Sequence, residues 1–199
     1  MENLFKQICQ FASDIYIADY TEYSKTHDVS PLSGGVYVTN TLPPHIPSLH
    51  IENPRSLQVK VANFEENMDV FTLPDGSRVQ QCECALWPET NQPSKWVMLT
   101  EMKYPKEKNA KSNIIQCYSK LTSTYQYLHD VKGVLHDEDQ HYLVICLPAF
   151  PNRVPFESFI LTPYKLTELR KKRIHVVGDT DFSIIDETHI KCLRKYHKV

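Results

Sequence analysis

The sequence lacks the long apolar run that a membrane-spanning helix needs. None of the hydrophobic stretches in its 199 residues approaches the roughly 20 residues that cross a bilayer. The N-terminal segment MENLFKQICQFASDIYIADY also lacks the basic start and the continuous apolar core of a secretory signal peptide. We therefore expect a cytoplasmic protein that has no membrane partner.

Spacings typical of zinc sites are missing as well. Cys82 and Cys84 are separated by one residue rather than two, and the 9 histidines form neither an HxxxH nor an HExxH motif. Most of the 6 cysteines lie in apolar runs, so we expect reduced thiols and no disulfides. Internal repeats and low-complexity tracts are also absent from the sequence.

The composition is that of a folded chain with one sizeable core. Hydrophobic residues make up 41% and charged residues 23%, which predicts a single domain over residues 1–199. The net charge of −2 is unevenly distributed. Residues 1–102 hold 6 Lys and Arg against 13 Asp and Glu, whereas residues 103–199 hold 16 against 11. This asymmetry permits an acidic centre beside a basic surface.

The hydrophobic periodicity predicts an α/β protein. Helical spacing predicts helices over 2–24 and 108–130, and a short basic helix over 165–173. Short apolar runs bounded by turn residues predict strands at 35–39, 56–64, 68–73, 78–87, 95–104, 141–150 and 173–179. We expect a mixed sheet built in the order helix, three antiparallel strands, helix and strand, with C-terminal additions.

The strand over 95–104 carries charge where burial is expected. Alternation places Val97, Leu99, Glu101 and Lys103 on one face, and the opposite face is also mainly apolar. Ionisable groups on a buried strand are costly unless they are paired or bound to a metal ion. Glu101 and Lys103 are therefore candidates for a functional site.

Glu83 on the preceding strand is a candidate partner for Glu101. A tight connection would pair Glu83 with Leu99, which makes Glu101 its diagonal neighbour at roughly 7–8 Å. Two carboxylates can hold a hard cation such as Mg²⁺, which activates water and neutralises charge on a scissile phosphate. A lysine beside them can contact the water or the phosphate. The pattern predicts phosphodiester hydrolysis.

The segments CECALW and KWVMLTEMKY together resemble the PD-(D/E)XK nuclease superfamily, which includes restriction endonucleases, Holliday-junction resolvases and RecB-like exonucleases. The resemblance covers a core over residues 57–148 and implies a restriction endonuclease-like fold. Glu101 and Lys103 match the E-x-K motif, and Glu83 replaces the usual aspartate. The resemblance implies Glu83, Glu101 and Lys103 as catalytic residues, Glu83 and Glu101 as ligands of Mg²⁺ or Mn²⁺, and a nucleic-acid substrate, DNA being favoured over RNA.

Other acids compete for the same roles. Pro74-Asp75 is a literal PD pair, although Asp75-Gly76 is also typical of a turn. A further acid from the predicted first helix could join the site, and Asp14, Asp19 and Glu22 are all available.

Basic and polar residues near the predicted site are candidates for substrate binding. They are the loop lysines Lys106, Lys108 and Lys111, together with Gln116 and Lys120 on the following helix. RecB-like members carry a glutamine on this helix, but their pattern places tyrosine where Lys120 stands. The alternative is a catalytically silent nuclease fold that acts as a binding, immunity or interaction module, with a homodimer or another protein as its partner.

Overall fold

The structure is a computed structural model that describes residues 1–27, 34–148 and 161–193. Within these ranges the chain is an α/β protein with two mixed sheets and few helices. Its strands are β1 (Cys9–Phe11), β2 (Ile15–Asp19), β3 (Val36–Thr39), β4 (Leu49–Glu52), β5 (Val59–Asn63), β6 (Cys84–Pro88), β7 (Trp96–Met102), β8 (Gln140–Cys146), β9 (Ile174–Gly178), β10 (Asp181–Ile184) and β11 (Ile190–Cys192).

Three α-helices connect or flank these strands in the described part of the chain. They are α1 (Tyr20–Ser24), α2 (Ala110–Gln126) and α3 (Pro163–Lys171). A π-helical turn, Tyr127–Val131, extends α2, and 3-10 turns lie at Met68–Phe71 and Glu107–Asn109. The Thr162 side chain caps α3 by accepting a hydrogen bond from the Lys165 amide. Pro163 occupies the first helical position, where proline is favoured, so both residues fix the N-terminus of α3.

The larger sheet has the strand order β1-β5-β6-β7-β8-β9. Strands β5, β6 and β7 are antiparallel neighbours, and β8 then lies parallel to β7 after the crossover through α2. This confirms the predicted mixed sheet in the central part of the chain. The smaller sheet has the order β11-β10-β4-β2-β3, in which only the β4–β10 pair is parallel.

The two faces of the larger sheet support two separate cores. Val97 and Leu99 pack with residues of α2 such as Ile114 and Leu121, whereas Trp96 and Met98 pack against the smaller sheet. The alternation predicted for 95–104 is therefore present, and both faces of β7 are buried because a helix layer covers one and a second sheet covers the other.

The predicted N-terminal helix over 2–24 is wrong. The segment instead contains β1, β2 and the five-residue helix α1. Ile15 and Ile17 are completely buried on the strand β2, which pairs with β3 on one side and β4 on the other. The same apolar residues fit both a helical and an alternating pattern, and the tertiary pairing decided between them.

Two other predicted elements require correction. Residues predicted as a strand over 68–73 form the 3-10 turn Met68–Phe71, and the strand predicted over 78–87 is confined to Cys84–Pro88. The predicted strand over 141–150 is β8, with residues 149 and 150 outside the described ranges. The second sheet was not predicted, because its strands come from segments far apart in the sequence.

Candidate active site

The C-terminal end of β7 places a carboxylate under α2. Glu101 is completely buried on the helix-facing side of the larger sheet. The next residue on that side, Lys103, follows the end of β7, and its backbone amide donates to the carbonyl of Cys146 at 3.0 Å. Pairing with β8 therefore fixes the backbone from which both side chains project.

Two lysines contact one oxygen of Glu101. Lys120 Nζ from α2 lies 2.6 Å from Glu101 Oε1, and Lys103 Nζ lies 3.4 Å from the same atom. The other oxygen, Oε2, is buried and has no hydrogen-bond partner among the described residues. A buried, unpartnered carboxylate oxygen is costly, and a bound cation is one way to satisfy it.

Glu83 lies immediately before β6 and contacts the end of β7. Its amide donates to the Thr100 carbonyl at 3.0 Å, and its Oε2 accepts from the Met102 amide at 2.8 Å. The predicted pairing of Glu83 with Leu99 is wrong, since Ala85 lies opposite Leu99. This shift of two residues places Glu83 beside the strand end that carries Glu101.

The smaller sheet and α1 contribute two further acids. Asp19 ends β2 and caps α1 by accepting from the Glu22 amide at 2.9 Å. Glu22 Oε1 then accepts from Lys103 at 2.9 Å and from Lys25 at 2.5 Å. Asp19, Glu22, Glu83 and Glu101 are called the carboxylate cluster below.

The structure settles which acids join Glu101. Asp14 lies elsewhere, where its carboxylate accepts from the Asn53 amide at 2.8 Å and faces His50. Asp75 is exposed in a turn and accepts from the amide and hydroxyl of Ser77, so it is not the first acid of this site. The Asp19-x-x-Glu22 spacing is typical of a helix N-terminus and could have located α1 from the sequence.

Burial raises the pKa of two acids in the cluster, Glu83 and Glu101. Burial, followed by the charges of Glu101 and Asp19, raises the pKa of Glu83 well above its ordinary value. Burial also raises the pKa of Glu101, although Lys120 and Lys103 oppose the shift. For Lys103, burial favours the neutral form, but the charges of Glu101 and Glu22 outweigh it and raise the pKa.

The remaining predicted residues differ in their distance from the cluster. Lys120 is brought into direct contact with Glu101, and Lys106 lines a cavity of about 190 Å³ together with Glu22 and Lys25. Lys108, Lys111 and Gln116 are exposed on the 3-10 turn and the first turns of α2. Five of the predicted residues thus lie at or beside the cluster, namely Glu83, Glu101, Lys103, Lys106 and Lys120.

The donor set at Glu83 and Glu101 fits a magnesium ion in its chemistry. Both offer carboxylate oxygens, and Glu101 Oε2 has no protein partner in the described structure. In the described ranges, no group of three or more histidine, cysteine, aspartate or glutamate residues is arranged as a metal site. Magnesium usually takes one or two carboxylates and keeps several waters, so two protein ligands suffice for this ion.

Comparisons with protein-family models, curated proteins and solved structures produce no match to this chain. Within the part of the chain that the structure describes, no helix is both long and apolar enough to cross a membrane.

Proposed function

We propose that the protein is a metal-dependent nuclease that hydrolyses phosphodiester bonds in DNA or RNA, with DNA as the favoured substrate. The observation that carries this proposal is the buried Oε2 of Glu101, which has no hydrogen-bond partner among the described residues. Lys103 contacts the other oxygen of Glu101, and Glu83 contacts the same strand end. The restriction endonuclease-like fold belongs to the same proposal. It is supported by the order β5, β6, β7, α2 and β8, although β2 and α1 replace the expected first helix.

The proposed roles follow from charge and position. Glu83 and Glu101 would hold Mg²⁺ or Mn²⁺, which when bound supplies a polarised water and positive charge for the scissile phosphate. Lys103 would hold the attacking water or a phosphate oxygen, since its ammonium group stays charged. Glu22 orients Lys103 through its 2.9 Å contact, and Lys120 neutralises Glu101 from α2.

The surrounding lysines would bind the phosphate backbone. Lys106 is exposed, lines the small cavity together with Glu22, and is close to Lys103 along the chain. Lys108, Lys111 and Gln116 are exposed on the adjoining turns, where they could contact a more distant part of the same strand. Each lysine that contacts a phosphate releases counterions, so binding would weaken as salt rises.

A catalytically silent binding module is the competing proposal, and one observation favours it. Lys103 and Lys120 already pair with Glu101, so the carboxylate is largely neutralised by protein groups. In that case the cluster would serve as a buried ion-pair network, and the fold would act as an interaction or immunity protein or as a homodimer.

Cleavage assays with matched variants distinguish the two proposals. Purified protein is incubated with single- and double-stranded DNA and RNA, with Mg²⁺, Mn²⁺ or a chelator. We expect metal-dependent cleavage that Glu101→Gln abolishes while circular dichroism and thermal unfolding show a folded variant. Asp75→Asn is the matched control and should cleave as the wild type does. Cleavage that survives Glu101→Gln, or a folded wild type that neither cleaves nor binds metal in calorimetry, overturns the nuclease proposal.

A further inference from the structure

A second cavity lies between α2 and α3, outside the carboxylate cluster. Its volume is about 630 Å³, which is within the range of small-molecule sites. Tyr118, Tyr125 and His129 line one wall, and Lys165, Lys172 and Arg173 line the other. These six residues define the basic-aromatic groove.

The groove is on the opposite edge of α2 from Glu101. Tyr118 and Tyr125 differ by seven positions and therefore lie on nearly the same side of the helix. Lys120, which contacts Glu101, is two positions from Tyr118, or about 200° around the helix. The groove and the proposed nuclease site are therefore separated by the body of α2.

The aromatic wall is held in place by defined contacts. The Tyr125 and His129 rings are stacked with centroids 5.4 Å apart, and His141 meets Tyr125 edge-on at 5.1 Å. The His129 ring is fixed by Asp130 at 2.7 Å and Asp137 at 3.1 Å. His129 lies on the π-helical turn, a local geometry that is found frequently at functional sites.

Two lysines of the basic wall carry positive charge that no acid in the described ranges neutralises, whereas Arg173 Nη1 already donates to the Glu138 carbonyl at 2.6 Å. Lys165 and Lys172 have no ion-pair partner among the described residues, in contrast to Lys171, which pairs with Glu168 at 2.8 Å. Arg173 adopts a φ of 57°, the left-handed conformation that favours glycine after a helix. A non-glycine residue held there costs free energy, and such strain is concentrated at ligand sites.

We propose that the basic-aromatic groove binds a free nucleotide. The base would stack against Tyr125, and the phosphates would contact Lys165, Lys172 and Arg173. A planar aromatic ring beside cations is the arrangement that recognises a base and its phosphate together.

The acids in the groove favour a free nucleotide over a nucleic-acid strand. Asp130 and Asp137 also line the cavity, on the side that holds His129. Their carboxylates would repel a phosphodiester backbone that continued past the base. The anionic end of the ligand is therefore confined to the α3 side.

Calorimetric titration of the full chain tests this inference with ATP and AMP as probes. Tripolyphosphate, adenosine and a ten-residue thymidine oligonucleotide are the comparison ligands. We expect saturable binding of ATP and AMP that is at least tenfold tighter than binding of adenosine or tripolyphosphate. Binding of tripolyphosphate as tight as that of ATP overturns the role of the aromatic wall. Tighter binding of the oligonucleotide than of both mononucleotides overturns the choice of a free nucleotide.

Matched variants locate the binding site. Tyr125→Ala should weaken ATP binding about tenfold or more, as loss of a stacking partner does. The double variant Lys165→Gln/Lys172→Gln changes only exposed side chains and should also weaken it about tenfold. Tyr164→Ala and Lys191→Gln are exposed controls outside the groove and should bind ATP unchanged. Binding that both groove variants leave intact, or no binding of either nucleotide, overturns the inference.

The inference does not depend on the nuclease proposal. Glu101→Gln should bind ATP with wild-type affinity, because Glu101 lies on the other side of α2. If the protein binds ATP in the groove but cleaves no nucleic acid, this inference stands and the nuclease proposal fails.

Discussion

Lys120 Nζ lies 2.6 Å from Glu101 Oε1, a contact that joins α2 to the end of β7. Lys103 reaches the same oxygen at 3.4 Å, but it also pairs with Glu22 at 2.9 Å. Lys120 is therefore the closer cationic partner of a carboxylate that is completely buried. The E-x-K pattern pointed only to Lys103, whereas the structure shows Lys120 as the closer partner of Glu101.

Removing the Lys120 charge should destabilise the fold. Lys120→Met keeps the apolar stem but leaves Glu101 with one more distant lysine, so we expect the free energy of unfolding to fall by about 2 kcal/mol. Urea unfolding at pH 8 measures this loss. Lys25→Met is the matched control, because Lys25 is an exposed partner of Glu22, and it should cost less than about 0.5 kcal/mol. Equal losses for the two variants would show that the α2 contact contributes no special stability.

Lys103 should matter more for the proposed chemistry than Lys120. Lys103→Ala removes the group placed at the water or phosphate, so the cleavage rate should fall by about 100-fold or more. Metal affinity, measured separately by calorimetry, should change much less than the rate. A Lys103→Ala protein that cleaves at the wild-type rate would contradict the role proposed for this lysine.

Glu83 should make the fold less stable as the pH rises. The folded chain raises the pKa of Glu83 above the ordinary value of 4.5, so the folded state holds this proton more tightly than the unfolded state. The stabilisation is complete below pH 4.5 and is lost as pH rises toward the folded pKa. Glu83→Gln cannot ionise, and it should become progressively more stable than the wild type from pH 5 to pH 8. Thermal unfolding across this range in metal-free buffer measures the difference, and a constant difference would contradict the prediction.

His141 should make the fold sensitive to acid. Burial lowers the pKa of His141 to about 4, while nearby Asp139 opposes the shift, and neither ring nitrogen has a hydrogen-bond partner in the described structure. The unfolded chain binds the proton near the ordinary value of 6.5, so stability is full above that pH and falls as pH drops toward 4. The loss attributable to His141 should approach about 3 kcal/mol. His141→Phe, which cannot bind a proton, should flatten the pH dependence of the free energy of unfolding in this window.

Lys106 should contribute to nucleic-acid binding through charge alone. Lys106→Ala should weaken binding of all sequences similarly and reduce the slope of log affinity against log salt by about 0.7 to 0.9. Fluorescence anisotropy with a labelled strand measures the binding. The measurement uses a Glu101→Gln background, which prevents cleavage of the strand. Lys191→Ala, on β11, is the control and should retain the wild-type slope. An unchanged slope for Lys106→Ala would place this lysine outside the binding surface.

The local pattern was sufficient for the central strands and the long helix. The apolar faces of β7 and the 3.6-residue stripe of α2 are signals carried by neighbours in the sequence, and both elements occur near their predicted positions. The same pattern identified Glu101 and Lys103 as a pair on one face. Alternation alone determines that relationship, because residues two apart on a strand share a face.

The composition of the site was decided by tertiary structure. Whether Ile15 and Ile17 lay on a helix or on β2 depended on strands β3 and β4, which come from distant segments. That choice brought Asp19 and Glu22 to the site and removed Asp14 from it. The register of β6 against β7 placed Glu83, and the packing of α2 brought Lys120 onto Glu101. The sequence by itself determined which residues carry charge on which face of an element. Long-range pairing determined which faces meet, because only tertiary contacts bring β2 to β3, β6 to β7 and α2 to Glu101.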